Sequence, residues 1–213
     1  MINCVFFDND GVLVDTERLY FEANRQTMAS HGVELSRQTY VDYFLRQNLG
    51  AWHLLSETGY SIRSIEDLKT QRDALYAALL RSEDIEIPGA EAVLASLHGR
   101  QTIGIVTSSH RDHFAIIHGR TGYERYFDFV ISGDDCKNTK PDPEPYRRAL
   151  ERVSCPATEC LVIEDSERGL LAAKAAGIKC WVIPTDLNAG SDFSRADAVL
   201  GSLSEIPERL AHD

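Results

Sequence analysis

Short runs of apolar residues recur along the chain and predict buried β-strands. Their apolar character does not alternate with polar residues, so both faces of each strand are expected to be buried, as in a parallel sheet. The runs cover residues 4–7, 103–106, 129–131, 161–163, 180–183 and 198–200.

Segments with helical patterning separate several of these runs. Residues 89–97 precede the second run, residues 143–153 precede the fourth, and residues 170–176 precede the fifth. The last of these segments is followed by Gly177, a residue suited to a helix C-cap. Strands and helices that alternate in this way form right-handed crossover units. The pattern therefore predicts the α/β class with an open, parallel sheet.

One long stretch interrupts this alternation. From residue 16 to residue 86 there is no convincing strand run, and apolar residues such as Leu75 and Leu79 recur at helical spacing instead. The sequence therefore predicts an all-helical domain over residues 16–86. This domain is inserted into an α/β core domain made of residues 1–15 and 87–213.

The composition is that of a globular chain with a core to bury. Hydrophobic residues make up 43% of the 213 residues, which argues against intrinsic disorder. The formal net charge is −11 at pH 7, and no block of lysines and arginines supplies the basic surface that duplex binding needs. We expect no nucleic-acid partner. An anionic substrate is still compatible with this charge, because a bound divalent cation reverses the local field.

The cysteines and the N-terminus bear on location. The five cysteines are irregularly spaced and include no C-x-x-C pair, which argues against a zinc site and favours reduced thiols in a cytosolic protein. The N-terminus lacks the basic start and apolar length of a signal peptide. No apolar run approaches the roughly 20 residues that a membrane helix needs. We expect a cytoplasmic protein without a membrane partner.

The first strand run ends in two aspartates at alternate positions, Asp8 and Asp10, followed by Gly11. Alternate side chains of an extended segment share a face, so the two carboxylates can converge. Glycine permits a tight turn after them, and ligands of open α/β sheets bind at the carboxyl ends of the strands. The segment therefore predicts a functional site. The alternative is an acidic turn after an edge strand.

The fourth strand run also leads directly into acidic residues, Glu164 and Asp165. Viewed alone, Asp165 or Ser166 is equally well explained as a helix N-cap. Parallel strands, however, bring their carboxyl ends to one edge, so Asp8, Asp10 and Asp165 are expected to cluster. Clustered carboxylates repel one another, and a hard cation that prefers oxygen ligands relieves the repulsion. The sequence therefore predicts a Mg²⁺ site.

Two further segments suit an anionic substrate. Thr107, Ser108 and Ser109 follow the second strand run, and their hydroxyl and amide groups can hold phosphoryl oxygens. The alternative is an ordinary helix N-cap. Lys140 precedes Pro141, whose ring restricts the backbone, and its charge can balance a carboxylate and a phosphate. The alternative is a solvated loop lysine.

Together these motifs resemble the haloacid dehalogenase superfamily, on its phosphatase and β-phosphoglucomutase-like branch. The four motifs are D-x-D-G starting at Asp8, Thr107 at a strand end, Lys140 before a proline, and the acidic pair Glu164 and Asp165. They occur in order and span the whole core. The resemblance implies a Rossmann-like parallel sheet with an inserted helical cap of the C1 type.

The resemblance also implies a mechanism. Asp8 attacks phosphorus and forms an aspartyl phosphate, while Asp10 is the general acid toward the leaving alcohol and then the general base toward water. Asp8, the backbone carbonyl of Asp10 and the Asp165 side chain hold Mg²⁺, with Glu164 as a further metal ligand or a nearby support.

Other residues complete the implied substrate site. Thr107 and Lys140 bind the phosphoryl group. The family's helical cap closes over the site and supplies substrate contacts, for which Arg46, Lys69 and Arg72 are the candidates. The alternative for each of these three is a solvated helix face. Because the cap shields the site within one chain, a monomer is expected.

Three functions remain open at this point. The resemblance favours hydrolysis of a small phosphorylated metabolite, with a sugar phosphate as the first candidate. A β-phosphoglucomutase-like mutase is the nearest alternative. However, Tyr20 replaces a histidine of that branch, and its Gly- and Arg-containing cap loop is not evident in residues 44–52. The third possibility is a non-catalytic phosphate-binding or regulatory protein, against which the intact Asp8, Lys140 and Asp165 argue.

Overall fold

The computed structural model describes residues 1–56 and 59–212. It divides into two compact units, one of Met1–Asp15 with Ile85–Asp213 and one of Thr16–Asp84. We call the first the core unit and the second the helical unit.

Six parallel strands form a single sheet in the core unit. The strands are β1 Cys4–Phe7, β2 Thr102–Val106, β3 Phe129–Ile131, β4 Cys160–Glu164, β5 Lys179–Val182 and β6 Ala198–Val199. Their order is β3-β2-β1-β4-β5-β6. Each predicted strand run overlaps one of these strands, and the predicted Rossmann-like parallel sheet is confirmed. The strand order reverses direction between β1 and β4, which is where ligands bind in such sheets.

Helices account for most of the remaining regular structure. In the part of the chain that the structure describes, they are α1 Glu17–Ala29, α2 Arg37–Tyr40, α3 His53–Ser56, α4 Ile62–Ser82, α5 Ala90–Leu97, α6 Arg111–Thr121, α7 Glu144–Arg152, α8 Glu167–Ala175 and α9 Ile206–Ala211. A π-helical segment, Val41–Arg46, continues α2. The described residues of the helical unit contain no strand. None of the described helices has both the length and the apolar character needed to cross a bilayer.

Three of the core helices, α5, α7 and α8, match the predicted helical segments. Helix α8 begins three residues earlier than predicted, at Glu167. The cause is a polar cap: the Ser166 hydroxyl accepts a hydrogen bond from the Gly169 amide at 3.1 Å, which satisfies one of the helix's open donors.

The register of the central strands determines which of the residues that follow them lie side by side at the edge of the sheet. Phe7 lies level with Ile105 of β2 and Ile163 of β4. The next residues along β1 and β4, Asp8 and Glu164, therefore emerge side by side. Helices α7 and α8 cover one face of these strands and pack their apolar side chains against it.

One prediction about the cysteines is wrong. The structure joins Cys4 to Cys155 in a disulfide bond, whereas the sequence predicts five reduced thiols. The remaining cysteines, Cys136, Cys160 and Cys180, are free thiols. Spacing gave no sign of the pair because 151 positions separate the two residues, and only the fold brings them together.

Candidate active site

Three carboxylates meet at the carboxyl ends of β1 and β4. Asp8, Glu164 and Asp165 each place one oxygen within 4.8 Å of the others, and all three side chains are buried. Asp8 directly follows β1, Glu164 is the last residue of β4, and Asp165 comes next. The structure thus brings together acidic residues that are more than 150 positions apart in the sequence.

Lys140 lies among these carboxylates. Its Nζ donates to Asp8 Oδ1 at 2.7 Å, to Glu164 Oε1 at 2.7 Å and to the carbonyl oxygen of Val106 at 2.8 Å. An ammonium group has three donors, and all three are used here. Lys140 is only 4% exposed, so it is not a solvated loop lysine.

The electrostatics of the site are governed by burial. Burial raises the pKa of Asp8 to about 8, with Glu164 and Asp10 adding to the increase and Lys140 opposing it. Burial lowers the pKa of Lys140, but Asp8 and Glu164 raise it by more, so that its net shift is upward. The ammonium group therefore stays charged, while the ionised form of Asp8 needs more positive charge than Lys140 alone supplies.

This arrangement fits a divalent cation. Magnesium takes oxygen ligands and is usually held by one or two carboxylates together with substrate phosphate. Asp8 and Asp165 offer such oxygens from adjacent strands, and an additional cation would favour the ionised form of Asp8. The donor set therefore fits Mg²⁺.

Asp10 faces the loop that follows β2. Its Oδ2 accepts hydrogen bonds from Thr107 Oγ1 at 2.9 Å and from Ser109 Oγ at 2.8 Å. The amide of Ser109 in turn donates to Thr107 Oγ1 at 2.9 Å, while Ser108 in the same loop is exposed. The second predicted motif therefore adjoins the first, and its hydroxyl groups orient the Asp10 carboxylate.

Gly11 is required by the approach of another part of the chain. Its φ angle is +88°, a conformation that residues with a side chain rarely adopt. A Cβ at this position would also overlap Asp165 Oδ2. The tight turn predicted after Asp10 is therefore what allows Asp165 to lie close to the first motif.

The motifs that converge here are those of a known family. A family model for haloacid dehalogenase-like hydrolases matches residues 5–183. The chain belongs to this hydrolase family. The match covers all four strand-end motifs, and so the resemblance inferred from the sequence is confirmed.

Individual relatives place this hydrolase among phosphatases. It is 33% identical over 209 residues to the phosphorylated carbohydrates phosphatase of Thermotoga maritima, with 93% of each chain covered. It is also 33% identical over 215 residues to the validoxylamine A 7′-phosphate phosphatase of Streptomyces hygroscopicus subsp. limoneus, covering 97% of this chain and 96% of that protein. The hydrolase is therefore an enzyme of the phosphoric monoester hydrolase class.

A solved structure with bound phosphate is similar to this hydrolase. CbbY from Rhodobacter sphaeroides, in complex with phosphate, superposes on this hydrolase with a TM-score of 0.83 and 26% sequence identity. The superposition covers 97% of this chain and 96% of that chain. The likeness therefore extends over the whole length of both proteins.

Sequence reasoning missed Tyr146, which supports two residues of the site. Its hydroxyl donates to Glu164 Oε1 at 2.7 Å, and its ring centroid lies 5.0 Å from Lys140 Nζ, within cation–π range. Tyr146 is fully buried on α7. An aromatic residue on the inner face of a predicted helix is expected to be core, so the sequence carried no signal of this second role.

Asn188 was also missed. Its Nδ2 donates to Asp165 Oδ2 at 2.8 Å, and its Oδ1 accepts from the Thr185 amide at 2.8 Å. Asn188 is buried and lies in the loop after β5. Asparagine in a loop usually signals only a turn, so the sequence could not show that this one holds Asp165.

A buried polar pair lies next to the first motif. His118 Nε2 and Asn9 Oδ1 are 2.8 Å apart, and because the amide oxygen only accepts, Nε2 carries the proton. Burial lowers the pKa of His118 to about 4. His118 is therefore a neutral donor that fixes the residue between Asp8 and Asp10.

Glu164 also supports the start of α8, and this gives a paired prediction. Its Oε2 accepts from the Ser166 hydroxyl at 3.0 Å, and a Cβ on Gly169 would overlap the Glu164 carboxylate. Gly169→Ala should lower the free energy of unfolding by about 1–3 kcal/mol through overpacking and reduce phosphatase activity, as measured by urea denaturation and a phosphate-release assay.

Gly119 on α6 is the matched control, because no atom lies within 4 Å of the Cβ it would gain. Gly119→Ala should raise the free energy of unfolding by roughly 0.5–1 kcal/mol, the usual helix preference for alanine. If Gly169→Ala raised the free energy of unfolding as Gly119→Ala is expected to do, the close fit between Gly169 and Glu164 would be refuted.

Of the predicted substrate contacts, Arg46 is exposed and Lys69 is half-buried on the surface of the helical unit. Arg46 pairs with Asp42 at 2.9 Å and Lys69 with Glu66 at 2.7 Å. Both are pairs between residues three or four positions apart on a helical segment, as expected for a solvated face.

Arg72, the third predicted contact, is buried within the helical unit. Its guanidinium carbon lies 4.7 Å from the centroid of the Tyr20 ring and 5.5 Å from that of the Trp52 ring, and its Nη1 donates to Asn24 Oδ1 at 2.9 Å. The solvated-face alternative is therefore wrong for Arg72. Contact of any of these three cations with substrate stays a prediction of the family resemblance.

Proposed function

We propose that this hydrolase is a Mg²⁺-dependent phosphatase that acts on a small phosphorylated carbohydrate through an aspartyl-phosphate intermediate. The observation that carries the proposal is the position of Asp8. Its Oδ1 accepts a hydrogen bond from Lys140 Nζ at 2.7 Å. Its carboxylate also has an oxygen within 4.8 Å of oxygens of Glu164 and Asp165, and all of these lie at the strand ends where ligands bind in this fold.

The first half-reaction would transfer the phosphoryl group to the enzyme. Lys140 holds Oδ1 of Asp8 and so orients the carboxylate for attack on phosphorus. As the bond to Asp8 forms, the ester P–O bond breaks, and Asp10 gives a proton to the leaving alcohol. Mg²⁺, held by Asp8, the Asp10 backbone carbonyl and Asp165, would neutralise the charge of the phosphate.

The second half-reaction would regenerate the enzyme. Asp10, now ionised, removes a proton from a water molecule, whose oxygen attacks phosphorus and releases Asp8 and inorganic phosphate. The hydroxyl groups of Thr107 and Ser109 hold Asp10 Oδ2, and this fixes the base in place for both steps. In this proposal Thr107 and Lys140 would also bind the phosphoryl oxygens, each exchanging a present hydrogen bond for one to phosphate.

The relatives support a carbohydrate substrate. One is named for phosphorylated carbohydrates and another for validoxylamine A 7′-phosphate. We therefore propose a sugar phosphate or a related polyol phosphate as the substrate class.

A substrate panel tests this function. Phosphate release from an aryl phosphate and from a set of sugar, polyol and nucleotide phosphates should depend on Mg²⁺, stop on addition of EDTA, and be fastest for a member of the sugar or polyol group. Conversion of glucose 1-phosphate to its isomer without phosphate release would support the mutase alternative instead. Phosphate binding without turnover of any member would support the non-catalytic alternative.

A further inference from the structure

A second group of ligating side chains lies at the opposite ends of the two central strands. Cys4 is the first residue of β1 and Cys160 the first of β4, and the sheet register pairs them directly. Cys155 lies in the loop that leads into β4. The three sulfurs all lie within 4.8 Å of one another, and those of Cys155 and Cys160 are 3.5 Å apart. We call these residues the thiol cluster.

The fold holds the thiol cluster in place. Residues paired in register on parallel strands point to the same face, so the sheet itself aligns Cys4 with Cys160. The loop that carries Cys155 is tied to the start of β1, because the Asn3 amide donates to the Glu159 carbonyl at 2.9 Å. Cys4 and Cys160 are buried while Cys155 is half-buried, so Cys155 is the most accessible member of the cluster.

The spacing of the sulfurs suits a shared ion. Thiolates that bind one Zn²⁺ at about 2.3 Å lie about 3.8 Å apart, close to the 3.5 Å between the sulfurs of Cys155 and Cys160.

We propose that the reduced protein binds one thiophilic divalent cation, such as Zn²⁺, at Cys4, Cys155 and Cys160. The ion and the Cys4–Cys155 disulfide are alternative states of the same cluster. A dithiol or phosphine reductant supplies two electrons to the disulfide and is itself oxidised, and the two sulfurs take up two protons. The cation then displaces the thiol protons into solvent.

The ligand chemistry separates this site from the candidate active site. Thiolates prefer zinc, cadmium and copper(I), whereas carboxylates prefer magnesium. A thiophilic cation is therefore expected at the end of β1 and β4 that carries the thiol cluster, and Mg²⁺ at the end that carries the carboxylates. The thiol cluster is not apparent from the sequence, because zinc sites are usually sought as closely spaced cysteine pairs, and Cys4 lies far from the other two in the chain.

Cadmium titration tests the proposal. The full chain is reduced with a phosphine, freed of reductant under anaerobic conditions, and titrated with Cd²⁺ in excess Mg²⁺ while the ultraviolet thiolate-to-cadmium charge-transfer band is recorded. We expect one Cd²⁺ per chain, and no band of this kind before reduction. Absence of the band after reduction, or the same band before it, would overturn the proposal.

Two serine variants locate the site. Cys155→Ser, at a half-buried position, should weaken Cd²⁺ binding by at least about 100-fold, because even loss of an outer partner of a metal ligand costs 10- to 100-fold. Cys136→Ser removes a half-buried free thiol outside the thiol cluster and should leave binding unchanged. Equal affinities of the two variants would place the ion elsewhere.

Discussion

Replacement of Asp8 by asparagine should reduce kcat for an aryl phosphate by at least about 10⁴-fold, the scale on which removal of a catalytic nucleophile acts. An amide cannot form the acyl phosphate that the proposed mechanism requires. The side chain keeps its size, and burial already disfavours the charged form of Asp8, whose pKa it raises to about 8. The variant should therefore fold, and loss of activity would reflect chemistry.

Two measurements make this result decisive. Rapid acid quenching followed by peptide mass analysis should find phosphate on the Asp8 peptide of the wild-type protein and none in Asp8→Asn. Asp112→Asn, an exposed change at the start of α6, is the matched control and should turn over at the wild-type rate. Robust turnover by Asp8→Asn would reject the assigned nucleophile.

The parts of the molecule that the sequence predicted are those whose burial is visible as a local run of apolar residues. Strand β1 lies between β2 and β4 in the sheet, and helices cover it, so both of its faces are apolar. The apolar run that ends at Phe7 shows this in the sequence. The acids after that run and after β4 stand out because they follow apolar residues abruptly. Parallel pairing then implied that Asp8 and Asp165 would meet.

The parts that sequence did not predict depend on long-range partners. Tyr146 is apolar enough to be a core residue, and its hydroxyl gains a role only because packing of α7 on the sheet brings it within 2.7 Å of Glu164 Oε1. Asn188 supports Asp165 from a loop whose path is set by β5. Cys4 meets Cys155 because β1 and β4 are neighbours. In each case the local pattern is ordinary, and the contact is made by register and helix packing.

Replacement of Lys140 by methionine should be the most destabilising single change in the active site. It keeps an unbranched side chain of similar length but removes the charge shared by Asp8 and Glu164. Loss of one partner from a buried ion pair costs about 3–5 kcal/mol, since the remaining charges stay desolvated. Activity should fall by at least about 10²–10³-fold, as expected when a preorganised electrostatic group is lost.

The deficit in unfolding free energy of Lys140→Met, relative to the wild-type protein, should grow as pH rises. Lys140 lowers the pKa of Asp8 and of Glu164, so its loss raises both in the folded state. A carboxyl whose pKa is higher folded than unfolded binds its proton more tightly when folded, and the resulting stability is present at low pH and lost as pH rises through the folded pKa. In Lys140→Met this loss extends over a wider pH range than in the wild-type protein.

Urea denaturation at pH 6 and pH 9 with chelator present measures this effect. Lys137→Met, an exposed change in the same loop, should match the wild-type protein at both pH values, because its ammonium group is in water. A deficit for Lys140→Met that is the same at both pH values would show that packing, and not charge, is what Lys140 contributes. A deficit that widens at pH 9 would establish that this ammonium group favours the ionised form of the nucleophile by lowering its pKa.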